Sequence, residues 1–598
     1  MNNAKKFLAV LLAGTMAVSM AACGGTTTSS TSASGTDSSA ADSTASGTAS
    51  TTDTSTSNPF ANSQYPGTSD SDSVTLNLGA EPPELNSSQT TDAVSADILR
   101  MTIDTLTQLD AKDQPIAGAA KSWDISADKK TYTFHLRDGM KWSNGETVTA
   151  KDYLYGWELA MDQSNGSGYG FIIYDNVKGG EDYFNATKTP AAKRTAAEKA
   201  KVAAAEKNLG CKVIDDKTIQ IEFVNPIPYA LQLMSFQTYC PVNQKAYESI
   251  GADKYAKEAN QIVTNGAYKI SEWVHDDHIT LVKNNDYWNA KNINIPKVKF
   301  VMIKDTNTAM NALKGGQVDC IGLTGDQITQ LKNEGQPLVP YEEGTNCYLQ
   351  YNTKDKILAN TKIRQALGMA INTKSFCDDV LKDGSTVAPG LVPGTIGGAN
   401  GETYAKGRTE SYATYDAAKA KTLFEEGLKE LGMTKDQLKL TFTCDDTSNS
   451  QQDAAFLQEQ WKSTLGITID LKAMPFKSRI KAMDDGDFQI VMALWAPDYN
   501  DALTYLDMWM TDNGNNYGKY SNPEYDKLVK AAIAESDSVK RQDDLLKAEK
   551  LVVETDCAAF PLYFRVKTYT CSKKLSGLTR TPFQEFDVCD GAKINTAG

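Results

Sequence analysis

The stretch FQIVMALWAPDYNDALTYLDMW, Phe488–Trp509, constrains this chain more than any other. Its opening residues run apolar through Ile490, Val491, Met492 and Leu494 to Trp495, long enough for a buried strand and short for a helix. Pro497 then ends the strand, because it has no backbone N–H to offer a neighbour. A strand buried on both faces belongs in an open α/β sheet, where ligands bind in the crevice beyond the carboxyl ends of the strands. At that end the chain presents Asp498, Tyr499, Asn500 and Asp501. A carboxylate between the rings of Trp495 and Tyr499 suits a ligand that carries an amine. Asn500 or Asp501 equally suits the cap of a helix beginning near Ala502, since a short acceptor side chain satisfies the free amides of a first turn.

The two ends of the chain differ from its middle. Lys5 and Lys6 precede the apolar run FLAVLLAGTMAVSM, which reads as a signal peptide over residues 1–22. Ser19-Met20-Ala21-Ala22 ahead of Cys23 resembles the lipobox of bacterial lipoproteins, which implies that Cys23 becomes the lipidated first residue, held at the outer face of the cytoplasmic membrane. Residues 23–73 are rich in Ser and Thr, with no Lys or Arg and only Phe60 and Tyr65 as aromatics, so a disordered tether is expected there. The whole chain carries a net charge of −14, which argues against nucleic acid as a partner.

The fold is expected to start with an alternating strand at Val74, Leu76 and Leu78, followed by a helix over Ala96–Leu106. Asp128-Lys129-Lys130 separates two alternating strands, and Asn144-Gly145 marks a turn. Thr149, three residues before Asp152, opens a helix with Tyr153, Trp157 and Met161 on one face. The Ala-rich segment Thr189–Asn208 carries charges on most faces and reads as a solvated helix. DAAFLQEQWKSTLGITIDLKAM reads as a helix, a stop at Gly466 and a strand. Asn522-Pro523-Glu524 starts another helix, with Tyr525, Val529 and Ala532 inward.

Residues that carry chemistry elsewhere have simpler accounts here. His275-Asp276-Asp277-His278 could interest zinc, but it lies between strand-like EWV and ITLV, where a hairpin turn suffices. Nine cysteines follow Cys23 without a Cys-x-x-Cys pair; a bond between Cys557 and Cys571 is one option. Asp484, Asp485 and Asp487 could be glycosidase carboxylates, or a turn into the strand at Phe488. No nucleophile elbow or phosphate loop is present in the sequence, so no enzyme activity, cofactor or metal is expected.

Five collinear motifs carry a family resemblance. The block SWDISADKK to WELAMD, IVTNGAYKISEWVHDDHITLVKNNDYWNAK, ALKGGQVDCIGL, KIRQALGMAINTKSF and WAPDYNDALTYL resemble, in order, the family 5 extracellular solute-binding proteins, receptors for oligopeptides and dipeptides in ATP-binding cassette importers. The resemblance spans about residues 74–590. It implies a class II periplasmic-binding-protein-like α/β fold, with two lobes around a hinged cleft plus an extra subdomain. Lobe I would take residues 74–93, 216–318 and 566–598, the extra subdomain 94–215, and lobe II 319–565. It also implies a monomeric, lipid-anchored receptor at the cell surface that docks on membrane permease subunits. Asp498 would hold the N-terminus of a peptide, Trp495 and Tyr499 with Asn500 would wall its pockets, and the segment at Glu81 would face them from the other lobe. Tyr169 and Phe476 match aromatic positions that line the groove in relatives. The strand carries Met492 and no Arg, and Ser450 stands where a His is expected, so pairing of a peptide's C-terminus is not visible in these elements. A receptor for a metal chelate or an oligosaccharide, a secreted hydrolase and a surface adhesin or chaperone are the alternatives.

Overall fold

The computed structural model describes residues 58–589 and 591–595. The signal peptide, Cys23 and most of the expected tether lie outside them. Around the strand Ile490–Trp495 the chain builds one sheet whose order is Asp470–Met474, Thr441–Asp445, Ile490–Trp495, Val339–Tyr351, Ala559–Cys571, Cys320–Gly322, Ser73–Asn77, Lys297–Val301, His278–Lys283 and Tyr268–Val274, with Thr386–Val387 paired off this path. The two strands of 13 residues at its centre decide the architecture. Val339–Tyr351 pairs through Asn346–Tyr351 with Ile490–Trp495, while Ala559–Cys571 runs on past it and pairs through Tyr569–Cys571 with Cys320–Gly322. These two strands therefore connect both halves of the sheet. Cys320–Gly322, which the sequence division puts at the start of lobe II, pairs with the half that contains Ser73–Asn77.

The ladder between the central strands is interrupted between Glu342 and Asn346. Gly344 takes φ +71° there, a conformation a side chain would strain. An irregularity of this kind bends a strand and re-aims its side chains. Glu343 and Thr345, the residues it displaces, face the cavity described below.

A second, four-stranded sheet runs Ala120–Ile125, Thr131–Leu136, Thr218–Glu222, Cys211–Asp215. The expected hairpin between its first two strands forms, with Lys129 in the left-handed conformation. The helix Ala150–Met161 packs Tyr153, Trp157 and Met161 inward, and Asp152 accepts from the Thr149 amide at 2.7 Å. Gly466 ends the helix Ser448–Leu465 with φ +71°, and Ala196–Asn208 buries only Val202 and Ala205.

Three expectations need correction. The first helix is Ala93–Thr102, because the Asp92 carboxylate caps it by accepting from the Ser95 amide at 2.8 Å. Disorder does not extend to residue 73. Phe60 and Tyr65 are buried, and the Thr68 amide and hydroxyl both donate to Asp319 at 2.8 Å. Two aromatic anchors and a fully buried carboxylate in need of donors outweigh the chain entropy of this short strap. Cys571 is bonded to Cys320, its cross-strand partner, rather than to Cys557. Cys557 and Cys571 flank the strand Ala559–Cys571, and 13 extended residues hold its ends roughly 40 Å apart. Cys557 and five other thiols are buried. Among the described residues no helix is long and apolar enough to cross a membrane.

Candidate functional site

The strand Ile490–Trp495 is buried along almost its whole length, as its apolar run requires, and Pro497 stops it where it meets the glycine of the irregular central strand. Asp498 follows immediately. Its amide donates to the Thr504 hydroxyl at 2.9 Å, that hydroxyl donates back to Oδ2 at 3.1 Å, and Oδ1 accepts from the Tyr169 hydroxyl at 3.0 Å. Both hydrogen bonds to its carboxylate thus come from neutral hydroxyls. Burial pushes the Asp498 carboxyl up to about 7; the hydroxyls of Tyr169 and Thr504 and the charge of Arg100 only partly oppose it.

Asp498, Trp495, Tyr169 and Phe476 line one cavity of about 330 Å³, in the range of small-ligand sites. Tyr169 meets Phe236 edge-on with ring centres 5.0 Å apart and lies 6.0 Å from Trp495, so the rings form a rigid apolar wall. These four residues come from three distant stretches of sequence. Among the segments carrying the expected site residues, only 495–498 is contiguous.

The cavity also holds basic groups that the sequence reading missed. Arg479, on the helix Phe476–Asp485, donates from Nε to Asp445 at 2.6 Å and sits 5.2 Å over the Phe476 ring. Arg565 and Lys567 both pair with Glu343. Burial works against the charge on Glu343, but the two cations outweigh it and hold its carboxyl down at about 2. Arg100 completes the set from the last turn of Ala93–Thr102, 3.5 Å from Asp97. The strand Ile490–Trp495 itself carries no cation; other elements bring them. The alternation Arg565-Val566-Lys567 within a strand was the legible signal, since it puts two cations on one face.

Three expected residues lie elsewhere. Tyr499 turns away from the cavity, stacked on Tyr229 with ring centres 4.1 Å apart, and its hydroxyl donates to Asp507 at 3.0 Å. Asn500 is exposed; its amide donates to Gln232 at 3.0 Å and its side chain accepts from Gly397 at 2.9 Å. Glu81 lines an adjoining cavity of about 320 Å³ that shares Phe476 and Asp445, where it accepts from Trp273 Nε1 at 3.0 Å and contacts His275 Nδ1 at 2.6 Å. His275 and Asp276 form the turn of the hairpin Tyr268–Lys283. Asp501 does not cap: it accepts from the Leu503 amide at 3.0 Å in an Asx turn, and is paired with both terminal nitrogens of Arg541. The single-turn helix that follows, Leu503–Leu506, has Ala502 at its N-cap and no side-chain cap.

A cavity beyond the carboxyl end of a buried strand, walled by rings and set with charges of both signs, defines a protein that encloses a small solute in its interior. The chain belongs to the bacterial extracellular solute-binding proteins, family 5, whose model matches residues 114–517. Members bind rather than transform their solutes, and the fold is the two-lobed α/β type with a hinged cleft. The chain is 33% identical over 518 residues to the oligopeptide-binding protein OppA of Bacillus subtilis, covering 84% of this chain and 90% of that protein. The substrate-binding domain of an oligopeptide ABC transporter from Bacillus anthracis superposes with a TM-score of 0.81 at 31% identity, over 89% of this chain and all of that one. Listeria monocytogenes OppA bound to peptide also gives 0.81, at 32% identity, over 88% of this chain and all of that one.

Proposed function

We propose that this protein is a lipid-anchored receptor that encloses oligopeptides in the 330 Å³ cavity and delivers them to an ATP-binding cassette importer. One observation carries the reading: a half-buried carboxylate, Asp498, stands in the cavity wall with two hydroxyls as its hydrogen-bond donors. A peptide's terminal ammonium supplies the cation such a group lacks, in a charge-assisted pair that is stronger for being desolvated. Trp495, Tyr169 and Phe476 give side chains an apolar surface that reads no sequence. Arg479, Arg565 and Lys567 line the same cavity, each paired with a carboxylate of the protein, Asp445 or Glu343. The names of the Bacillus and Listeria relatives point to the same ligand class.

The mechanism involves no bond chemistry. Ligand held by Asp498 and enclosed between the two lobes favours the closed state by its differential affinity, and the closed receptor docks on the permease. Acylation of Cys23 keeps the monomeric receptor at the outer face of the membrane. Mass spectrometry of solutes released from the purified Cys23→Ser protein is expected to find peptides with free N-termini, and calorimetry to show that N-acetylation of such a peptide abolishes binding. Recovery of metal chelates or oligosaccharides, or equal binding of the acetylated peptide, refutes the reading. Labelling with tritiated palmitate, lost in Cys23→Ser, tests the anchor.

A further inference from the structure

The loop that carries Asp498 is gripped on the side away from the ligand cavity. Tyr499, the next residue, lays its ring flat on Tyr229, with ring centres 4.1 Å apart and planes 6° from parallel. The amide of Asn500 donates to Oε1 of Gln232 at 3.0 Å. None of these four residues lines the 330 Å³ cavity.

The two sides of this contact belong to different halves of the molecule. Tyr499 and Asn500 follow the strand Ile490–Trp495 and are tied into its half: the Asn500 side chain accepts from the Gly397 amide at 2.9 Å, and the Tyr499 hydroxyl donates to Asp507 at 3.0 Å. Tyr229 and Gln232 follow the strand Thr218–Glu222 of the four-stranded sheet and are tied into the other half: the Leu231 carbonyl accepts from the Thr107 hydroxyl at 2.6 Å, and Gln232 Nε2 donates to the Asp113 carbonyl at 3.2 Å. That last bond fixes the Gln232 amide, so Oε1 is already aimed when Asn500 arrives. Both rings are buried, Tyr229 at 9% exposure and Tyr499 at 3%, so separating the halves wets two large aromatic faces. The ion pair Lys304–Asp446, which joins the same halves at 3.2 Å, has side chains 35% and 30% exposed and contributes little beside it.

We propose that Tyr229 and Gln232 are positioning residues: they latch the Asp498 loop in the closed state, and so set how tightly a ligand is held without selecting which one. The proposal rests on the reading that the ligand pairs with Asp498 between two hinged lobes. Residues 499 and 500 lie one and two steps of about 3.8 Å along the chain from Asp498, so a grip on them keeps the carboxylate at the cavity wall, where Tyr169 donates to it. The stack and the bond form on closure and touch no ligand atom. They therefore multiply the affinity for every ligand by the same factor. Opening has to break them, so that factor enters the dissociation rate and leaves association nearly unchanged.

The test is stopped-flow binding and calorimetry on the ligand-free Cys23→Ser protein with three probes, tetra-alanine, Ala-Phe-Ala-Phe and Ala-Lys-Ala-Lys. Tyr229→Leu keeps an apolar side chain but no flat face, and Gln232→Ala removes the acceptor. Each is expected to weaken all three probes by roughly two- to tenfold, nearly all of it as faster dissociation. Tyr229→Phe keeps the ring and is expected to stay within about twofold of the unmodified receptor. Because Tyr229 is buried, the thermal midpoint of each ligand-free protein is read alongside, and the half-buried Gln232 carries the test if Tyr229→Leu fails to fold. Unchanged dissociation in Gln232→Ala and in folded Tyr229→Leu overturns the latch, as does a lowered midpoint without faster dissociation, which marks a purely structural role. Tyr229→Phe as weak as Tyr229→Leu also overturns it, and a loss confined to one probe overturns its independence of the ligand. Failure of the unmodified protein to bind any of the three probes instead overturns the peptide reading beneath it.

Discussion

Asp498→Asn is expected to make the empty receptor more stable while crippling it as a receptor. Burial raises the Asp498 carboxyl from 3.8 in the unfolded chain to about 7. Between these values the folded protein holds a proton that the unfolded chain has released, so stability falls as pH rises through the window and levels off above about 7. Three units at about 1.36 kcal/mol each put the ceiling on this cost near 4 kcal/mol at pH 8. Asn removes the charge but replaces one acceptor oxygen by an NH2, which costs Tyr169 or Thr504 a hydrogen bond worth about 1 to 1.5 kcal/mol. The net expectation is a gain of about 2 to 3 kcal/mol at pH 8 that vanishes at about pH 5 and turns into a loss of about 1 kcal/mol at about pH 4, read as the difference in thermal midpoint across a pH series without ligand. With ligand the sign reverses. The ammonium needs the ionised carboxylate, so affinity in the unmodified receptor rises with pH up to about 7 and then flattens, and the variant binds on the order of thirtyfold more weakly or worse. Parallel pH profiles for the two empty proteins, or tight ligand binding by the variant, would refute the reasoning.

Gly514→Ala should weaken ligand binding without touching the cavity wall, because a β-carbon at Gly514 would lie 2.4 Å from the Gly168 carbonyl, next to Tyr169 in the chain; unchanged affinity by calorimetry counts against this. Starting the chain at Val74 instead of Asn58 removes Phe60, Tyr65 and the Thr68 donors to Asp319, and should lower the thermal midpoint by a margin equivalent to at least about 3 kcal/mol, whereas starting at Asn58 should retain full stability. Tyr499→Phe leaves the half-buried Asp507 without its hydroxyl donor, so a stability loss of about 1 to 3 kcal/mol is expected in denaturation, with peptide affinity unchanged because Tyr499 lies outside the 330 Å³ cavity and Phe keeps the ring that stacks on Tyr229.

Sequence periodicity alone located the strand that matters, its end at Pro497 and the carboxylate beyond it. These are local properties: an unbroken apolar run needs burial on both faces, and Pro cannot continue a ladder. Helix stops such as Gly466 and the hairpin at Lys129 were legible for the same reason. Which side of the chain Tyr499 and Asn500 face was not, because a turn after a strand carries no periodicity to fix direction. Tyr229 and Gln232, more than 260 residues away, decided it by offering a ring to stack on and an acceptor for an amide. The alternation Arg565-Val566-Lys567 is legible as two cations on one strand face, but that they and Arg479 come to the cavity at Asp498 is set by the sheet order. The strap at Asn58–Ser73 reads as disordered from composition because what orders it, Asp319 and Tyr569, lies hundreds of residues downstream. The sequence determined which segments must be buried and where they stop. Only the tertiary structure decided which groups meet at Asp498, since long-range pairing, unlike hydrophobic period, leaves no mark on neighbouring residues.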